Sequence, residues 1–518
     1  MLQIQNLTLT HRRDLRVLLR DFSLVLQPGD KAVIIGEEGN GKSTLLKWIY
    51  DPGLIDGYIE AEGTRTDQGE KLGYLPQELP KEAREKKVYE YFSQMDCFYN
   101  SSPQEQQRLA ARLRLPGDVF YGNQRMGTLS GGERIKLQLA GLLLEQPDIL
   151  LLDEPSNDLD LETLEWLEEF ICSTSQTVLF ISHDETLLER TANRVILLEQ
   201  LRRKTVCRYT VANLPFRSFM EERSAAFEKQ ARLAAGERRE EKRAQERFQR
   251  IQQRVEHEQN AITRQDPHGG RLLKKKMASV KALEKRYARE HEEMTEYPEE
   301  ESAITIRFDR QLAMPAGKRV LKYRNPQLVC RSGETDGESP RLLSRDVELT
   351  VQGPEKICIV GRNGTGKTTM LREIWEQLRE RQDIHACYMP QDYDELLELD
   401  LTPVEYLAGS GRKEDITLAR TYLGAMKYTA EEMHHPMRAL SGGQRAKLLL
   451  LSMSLSKADV LILDEPTRNF SPLSAPRIRK LLQDFSGAII SVSHDRKYME
   501  QVCDKIYELG EDGLHMRW

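Results

Sequence analysis

The 518-residue sequence predicts an α/β protein, two tandem copies of one parallel-sheet domain joined by a long antiparallel α-helical hairpin. Three observations carry this expectation. Short motifs recur at a fixed offset, apolar runs of strand length alternate with helical patterns inside each copy, and a charged stretch without counterpart separates the copies.

"LSGGE" at Leu129–Glu133 returns as "LSGGQ" at Leu440–Gln444, "LLLDEP" before Ser156 as "LILDEP" before Thr467, and "ISHD" at Ile181–Asp184 as "VSHD" at Val492–Asp495, all 311 positions apart. "GEEGNGKST" from Gly36 returns as "GRNGTGKTT" from Gly361 at 325, so the copies differ in length before the signature. The domains read as 1–214 and 301–518, with a linker over 215–300.

Within each copy the elements follow in order. "KAVIIG" and "KICIVG" read as buried strands feeding a glycine loop, and "STLLKWIY" and "TTMLREIW" as the helices that follow. "DILLLD" and "DVLILD" are strands ending in an acid; "TVLFISH" and "GAIISVSH" are strands ending in a histidine. Chemistry therefore collects at the carboxyl ends of the strands, where open α/β sheets take ligands.

Composition bounds the function. The chain carries 39% hydrophobic residues, enough for two cores, and its net charge is only −6 although 31% of it is charged. Local segregation of charge therefore says more than the total. Seven scattered cysteines, none in a C-x-x-C pair, disfavour a zinc site or disulfide framework and suit a reducing compartment. No apolar run approaches the ~18 residues of a membrane span, and the opening "MLQIQNLTLTHRR" is too polar for a secretory leader. The expected place is the cytoplasm, without a membrane partner.

Gly36, Glu37, Glu38, Gly39, Asn40, Gly41, Lys42, Ser43 and Thr44 form one phosphate-binding loop, and Gly361, Arg362, Asn363, Gly364, Thr365, Gly366, Lys367, Thr368 and Thr369 the other. Glycines let backbone N–H groups wrap phosphates, the lysine neutralises β/γ charge, and the Ser43 or Thr368 hydroxyl reaches Mg²⁺. Either match alone has a glycine-rich turn as its bland alternative; two in strand-loop-helix context make that remote. Asp153 and Asp464 stand where the Mg²⁺ shell is held, and Glu154 and Glu465 follow, placed to polarise a water. His183 and His494 follow these glutamates by the same 29 positions, fit to hold that water or sense the γ-phosphate. Gln77 and Gln391 lie between loop and signature, fit to sense metal and water.

This order of motifs, twice over, resembles the nucleotide-binding domains of ATP-binding cassette (ABC) proteins. The resemblance implies ATP and Mg²⁺ as cofactors and ATP hydrolysis as the activity. It also implies a head-to-tail sandwich within one chain, a monomer in which Ser130, Gly131 and Gly132 close over ATP on the second loop and Ser441, Gly442 and Gly443 over ATP on the first. Two departures predict unequal sites: Glu38 where the second loop has Asn363, and Ser471 in "PTRNFS" where the first copy has Asp160 in "PSNDLD".

The linker then selects among ABC proteins. It runs without proline from Arg217 to Asp266, rich in helix formers, with apolar steps at Phe248, Ile251, Val255 and Ile262. Beyond "QDPHGG" come Leu273, Met277, Val280, Tyr287 and Met294, a second seam. From Arg264 to Arg289 nine basic residues face two acids, a net +7. A solvated helix face would interleave signs, as Glu221–Glu246 does. A one-signed tip suits a polyanion. Arg264, Arg271, Lys274, Lys275, Lys276, Lys281 and Lys285 are the expected RNA contacts. Two such domains with such a linker resemble the ABC-F family, which implies binding at the ribosomal E site with the linker toward P-site tRNA, rRNA and the peptidyl-transferase region. The interval from Gln77 to Ser130 is 53 positions, against 50 from Gln391 to Ser441, so no inserted arm is expected, and "GLHMRW" is read as closing the second domain without an extension. Both a housekeeping translation factor and an antibiotic ribosome-protection protein fit, with a lean to the latter. The rival class is an ATPase subunit that energises a separate membrane permease, an ABC transporter.

Overall fold

The computed structural model describes residues 1–202, 204–261, 275, 278–279, 282, 308, 314–330, 341–409 and 411–517, and in them the repeat becomes two six-stranded sheets of identical order. In the first copy the order is Leu72–Leu75, Ile149–Asp153, Thr177–Ile181, Lys31–Ile35, Arg194–Leu201, Val206–Ala212; the last pair is antiparallel and the rest parallel. The second copy repeats it as Ala386–Met389, Val460–Asp464, Ala488–Val492, Lys356–Val360, Lys505–Gly510, Gly513–Met516. The acid-ending strands "ILLLD" and "VLILD" are buried along their whole length, as central parallel strands covered on both faces must be.

Register does the positioning. Asp153 pairs with Ile181 and Asp464 with Val492, so each Asp-Glu strand end lies beside the Ser-His end of its neighbour. Antiparallel strands complete each copy: Val17–Leu26, Leu2–His11 and Ile59–Thr66 in the first, Arg319–Cys330 with Arg341–Gln352 in the second.

The chain divides into two compact units, Met1–Phe216 together with Glu301–Trp518, and Arg217–Glu300. In the linker the first expected helix runs Phe216–Ala261, 46 residues or about 69 Å at 1.5 Å per residue. Its mixed-sign surface carries i,i+4 pairs such as Arg217–Glu221 at 3.1 Å and Arg232–Glu228 at 2.9 Å. The turn and the returning seam lie outside the described residues, as do Arg264, Arg271, Lys274, Lys276, Lys281 and Lys285; Lys275 is helical and exposed. Among the described residues no helix is long and apolar enough to cross a membrane.

Candidate nucleotide sites

Each phosphate loop leaves a buried strand through a glycine that nothing larger could replace. A Cβ on Gly36 would lie 2.4 Å from the Leu198 carbonyl oxygen, and one on Gly361 would lie 2.5 Å from that of Leu509. Lys42 then turns back to donate to the Gly36 and Glu37 carbonyls at 2.8 and 3.1 Å, as Lys367 does to Gly361 and Arg362 at 2.7 and 2.9 Å. Both ammonium groups are thus held inside their loops, where a phosphate chain would be neutralised.

Beside each loop sits the acid cluster. Ser43 Oγ donates to Asp153 Oδ1 at 2.9 Å, and Thr368 bonds Asp464 in the same way. Glu154 and Glu465 both take φ of 51°, a left-handed strain at the same point in each copy. Gln77 Nε2 reaches Glu154 at 3.0 Å, while Gln391 lines the second site. Ser130 and Ser441 each cap the signature helix that follows, accepting from Glu133 N and Gln444 N at 3.3 Å.

The two halves meet head to tail, so each loop faces the other copy's signature. One composite site is a cavity of about 580 Å³ lined by Gly131 of the first copy with Asn363, Gly364, Gly366, Lys367, Thr368, Thr369, Gln391, Asp464, Glu465 and His494 of the second. Asn363 donates across the interface to the Asp158 carbonyl at 2.7 Å. In this site Asp464 Oδ2 and both ring nitrogens of His494 are buried without a hydrogen-bond partner. A buried carboxylate oxygen beside a threonine hydroxyl is the donor set a hard divalent cation takes, so Asp464, Thr368 and Gln391 fit Mg²⁺. Burial, and then the Asp464 carboxylate, push Glu465 up to about 8; burial and Lys367 push His494 down to about 4.

The other composite site is wired differently. Its polar atoms satisfy one another: Asp153 with Ser43 and Tyr74, and Glu154 with His183 at 3.1 Å and Asn157 at 2.6 Å. The remaining nitrogen of His183 lies 3.0 Å from the Phe470 carbonyl across the interface. Burial would raise Glu154, but His183 outweighs it and holds the carboxyl down to about 2. Glu37 and Glu38 turn away from their own loop into the second copy. Gly443 N donates to Glu38 Oε2 at 2.6 Å, Ser471 Oγ to Glu37 Oε1 at 2.5 Å, Ser474 also to Glu37, and Lys447 Nζ lies 3.2 Å from Glu37 Oε2. Sequence reading flagged Glu38 and Ser471 as departures but missed Lys447 and Ser474, the partners of Glu37.

Charge is segregated across this interface. Arg479 grips both oxygens of Glu185 at 2.7 and 3.1 Å, Arg496 pairs with Glu168, Lys497 with Glu185 and Glu189, Arg468 with Asp158, and Arg362 with Glu162. In each pair the acid belongs to the first copy and the base to the second; among the described residues Lys204–Glu432 is the reverse. Glu168 and Glu185 correspond at the 311 offset to Arg479 and Arg496, so two pseudo-symmetric pairs were available to sequence comparison as sign reversals.

The family model described as ABC transporter matches residues 19–157 and 344–468, half of the chain, with one segment in each copy. The chain belongs to the ABC-F family. An ABC-F chain of this kind is an ATP-binding ATPase. It is 28% identical over 521 residues to the Bacillus subtilis "Ribosome protection protein VmlR", covering 96% of this chain and 85% of that one. It is 26% identical over 549 residues to the Haemophilus influenzae "Energy-dependent translational throttle protein EttA", covering 96% and 90%. The archaeal ribosome recycling factor aABCE1, solved with the ribosomal stalk protein aP1, shares the fold at a TM-score of 0.60 and 17% identity, covering 99% of this ABC-F chain and 90% of that one.

Proposed function

We propose that this ABC-F ATPase binds the ribosome in its ATP-closed form and acts through its linker on P-site tRNA and the peptidyl-transferase region, as a translation factor or a ribosome-protection protein. The observation that carries this reading is the composite cavity: a phosphate loop of one half closed by the signature of the other, in a chain whose halves are separated by a 46-residue helix. The names of the relatives VmlR and EttA support translation as the setting, and the net +7 from Arg264 to Arg289 supports RNA as the partner. The cytoplasm is the corresponding compartment.

The domain division into 1–214, 215–300 and 301–518 gives each part a task. In the cassettes, backbone N–H groups of the loops and Lys42 or Lys367 hold phosphates, and Ser130 or Ser441 with the following glycines closes on the γ-phosphate from the opposite half. Glu465 and Glu154 orient and polarise the attacking water, with His494 and His183 holding it. Ser43, Asp153 and Gln77, or Thr368, Asp464 and Gln391, would hold Mg²⁺, which neutralises the β- and γ-oxygens when bound. The segregated charges favour pairing of the first copy with the second over pairing of like copies. Sedimentation through sucrose tests the reading. The chain should travel with ribosomes when given a non-hydrolysable ATP analogue and stay at the top with ADP; co-migration with membranes and not with ribosomes would overturn it.

A further inference from the structure

The two composite sites are built from the same motifs, yet one presents unpartnered polar atoms to a cavity and the other is internally satisfied. A further difference lies in two residues of the first phosphate loop. Where the second loop reads Arg362-Asn363, the first reads Glu37-Glu38. Arg362 reaches Glu162 at 3.1 Å, and Asn363 acts as a donor, to the Asp158 carbonyl that packs against Gly131.

Glu38 does the opposite. Its carboxylate takes the Gly443 N–H at 2.6 Å, at the start of the 14-residue helix Gly442–Leu455. A Cβ placed on Gly443 would lie 3.1 Å from Glu38 Cδ, so the carboxylate is packed against the helix terminus. This N–H, carrying the positive end of the helix dipole, is the donor that a γ-phosphate on the first loop would need. Glu37 fixes the arrangement from the other side through Ser471, Ser474 and Lys447. Ser471 stands where the first copy has Asp160, so the acid has moved from one half to the other: a second carboxylate there would face Glu37 directly.

We propose that Glu38 is a built-in carboxylate substitute for the γ-phosphate at the first-loop site, with Glu37 as its anchor, so that triphosphate is bound and hydrolysed at the second-loop site alone. This rests on the ATPase reading and narrows it, replacing two equivalent reacting sites by one composite site: the second loop, Glu465, His494 and the first copy's signature. The first-loop site is an interdomain latch. A triphosphate entering it must displace Glu38 from Gly443 and bring its own negative charge beside two carboxylates, whereas the second-loop site offers Asp464 Oδ2 and the His494 ring nitrogens with no hydrogen bond to displace.

The experiment counts ATP bound per chain by equilibrium dialysis with Mg²⁺, using the full chain carrying Glu465→Gln so that the count is not eroded by turnover. One ATP per chain is expected. Adding Glu38→Asn, the residue the second loop uses, should raise the count to two, while the charge-preserving Glu38→Asp should leave it at one. A count of two before Glu38 is altered, with dissociation constants within about threefold of each other, overturns the proposal. So does a count that stays at one in a Glu38→Asn chain whose circular dichroism and melting are unchanged. If that variant does not fold, Glu38→Gln, which keeps the shape and removes the charge, takes its place with the same two outcomes. A count of zero would remove the ATP-binding reading itself, so failure of the latch and failure of the function are distinguished.

Discussion

Replacing Arg479 by methionine should open the sandwich without touching either phosphate loop. Arg479 donates to both oxygens of Glu185 and, through Nε, to Gln501 at 2.8 Å; the Arg479 and Glu185 side chains are 3% and 8% exposed. Methionine retains most of the aliphatic volume, so the loss falls on the charge. Removing one partner of a buried pair costs about 3–5 kcal/mol, and Lys497, 3.2 Å from Glu185, keeps the figure near the lower end. Because the pair joins the two halves, about 3 kcal/mol should come off their association, a factor of roughly one hundred in the closure equilibrium. Energy transfer between dyes on the two halves, followed as urea is raised, reads this directly: at a slope of ~2 kcal/mol per molar the separation midpoint should fall by about 1.5 M. The double variant Glu185→Gln with Arg479→Met removes the stranded charge and should recover most of the loss. A single variant that shifts closure by less than about 0.5 kcal/mol, or a double no better than the single, would refute the assignment of this pair to interdomain closure.

Acid should weaken the same interface through Glu37. Its carboxyl is held down to about 2 from the usual 4.5 because Lys447 and the Ser471 and Ser474 hydroxyls outweigh the effect of burial, with Arg477 also facing it. A depressed folded pKa gives stability that is present above pH 4.5 and lost as pH falls from there through about 2, roughly 3 kcal/mol in all; urea midpoints at pH 7 and pH 3 should differ less in a Glu37→Gln chain than in the parent. In the linker, changing Lys274, Lys275 and Lys276 to Gln should flatten the salt dependence of ribosome binding, each lost phosphate contact removing a log–log slope of about 0.7 to 0.9, with ATPase in the absence of ribosomes unchanged. Charge reversal at Glu221 and Glu222 should matter less, and an unchanged slope in the triple variant would reduce those lysines to a solvated face.

The motifs, their order and the repeat were legible because each is local: a strand, a glycine loop and a helix lie within a dozen residues, and the second copy supplies an internal control. The register that joins Asp153 to Ile181 was implied by the same spacing in both copies. What escaped were contacts between residues far apart in sequence. Glu37 meets Ser471 across 434 positions, so nothing in the loop's own sequence singled it out. The interface charges escaped for a different reason: Glu168, Glu185, Arg479 and Arg496 sit on amphipathic helices where a charge ordinarily reads as solvated, and only their reversed sign at one offset betrays that they are buried against each other. Glu38 shows both effects, a visible oddity whose partner, the Gly443 N–H, is a backbone group that no side-chain pattern could announce.

The central claim, that ATP closes this chain onto the ribosome and hydrolysis releases it, is tested most directly by changing both Glu154 and Glu465 to Gln and pelleting ribosomes through a sucrose cushion with ATP. The variant should bind ATP, lose turnover by at least about a hundredfold, and remain on the ribosome through washing, whereas the parent chain with ATP should largely come off. Wild-type turnover in the double variant would remove both glutamates from the chemistry, and a trapped, ATP-loaded chain that leaves ribosomes in the pellet bare would contradict the ribosome as its partner.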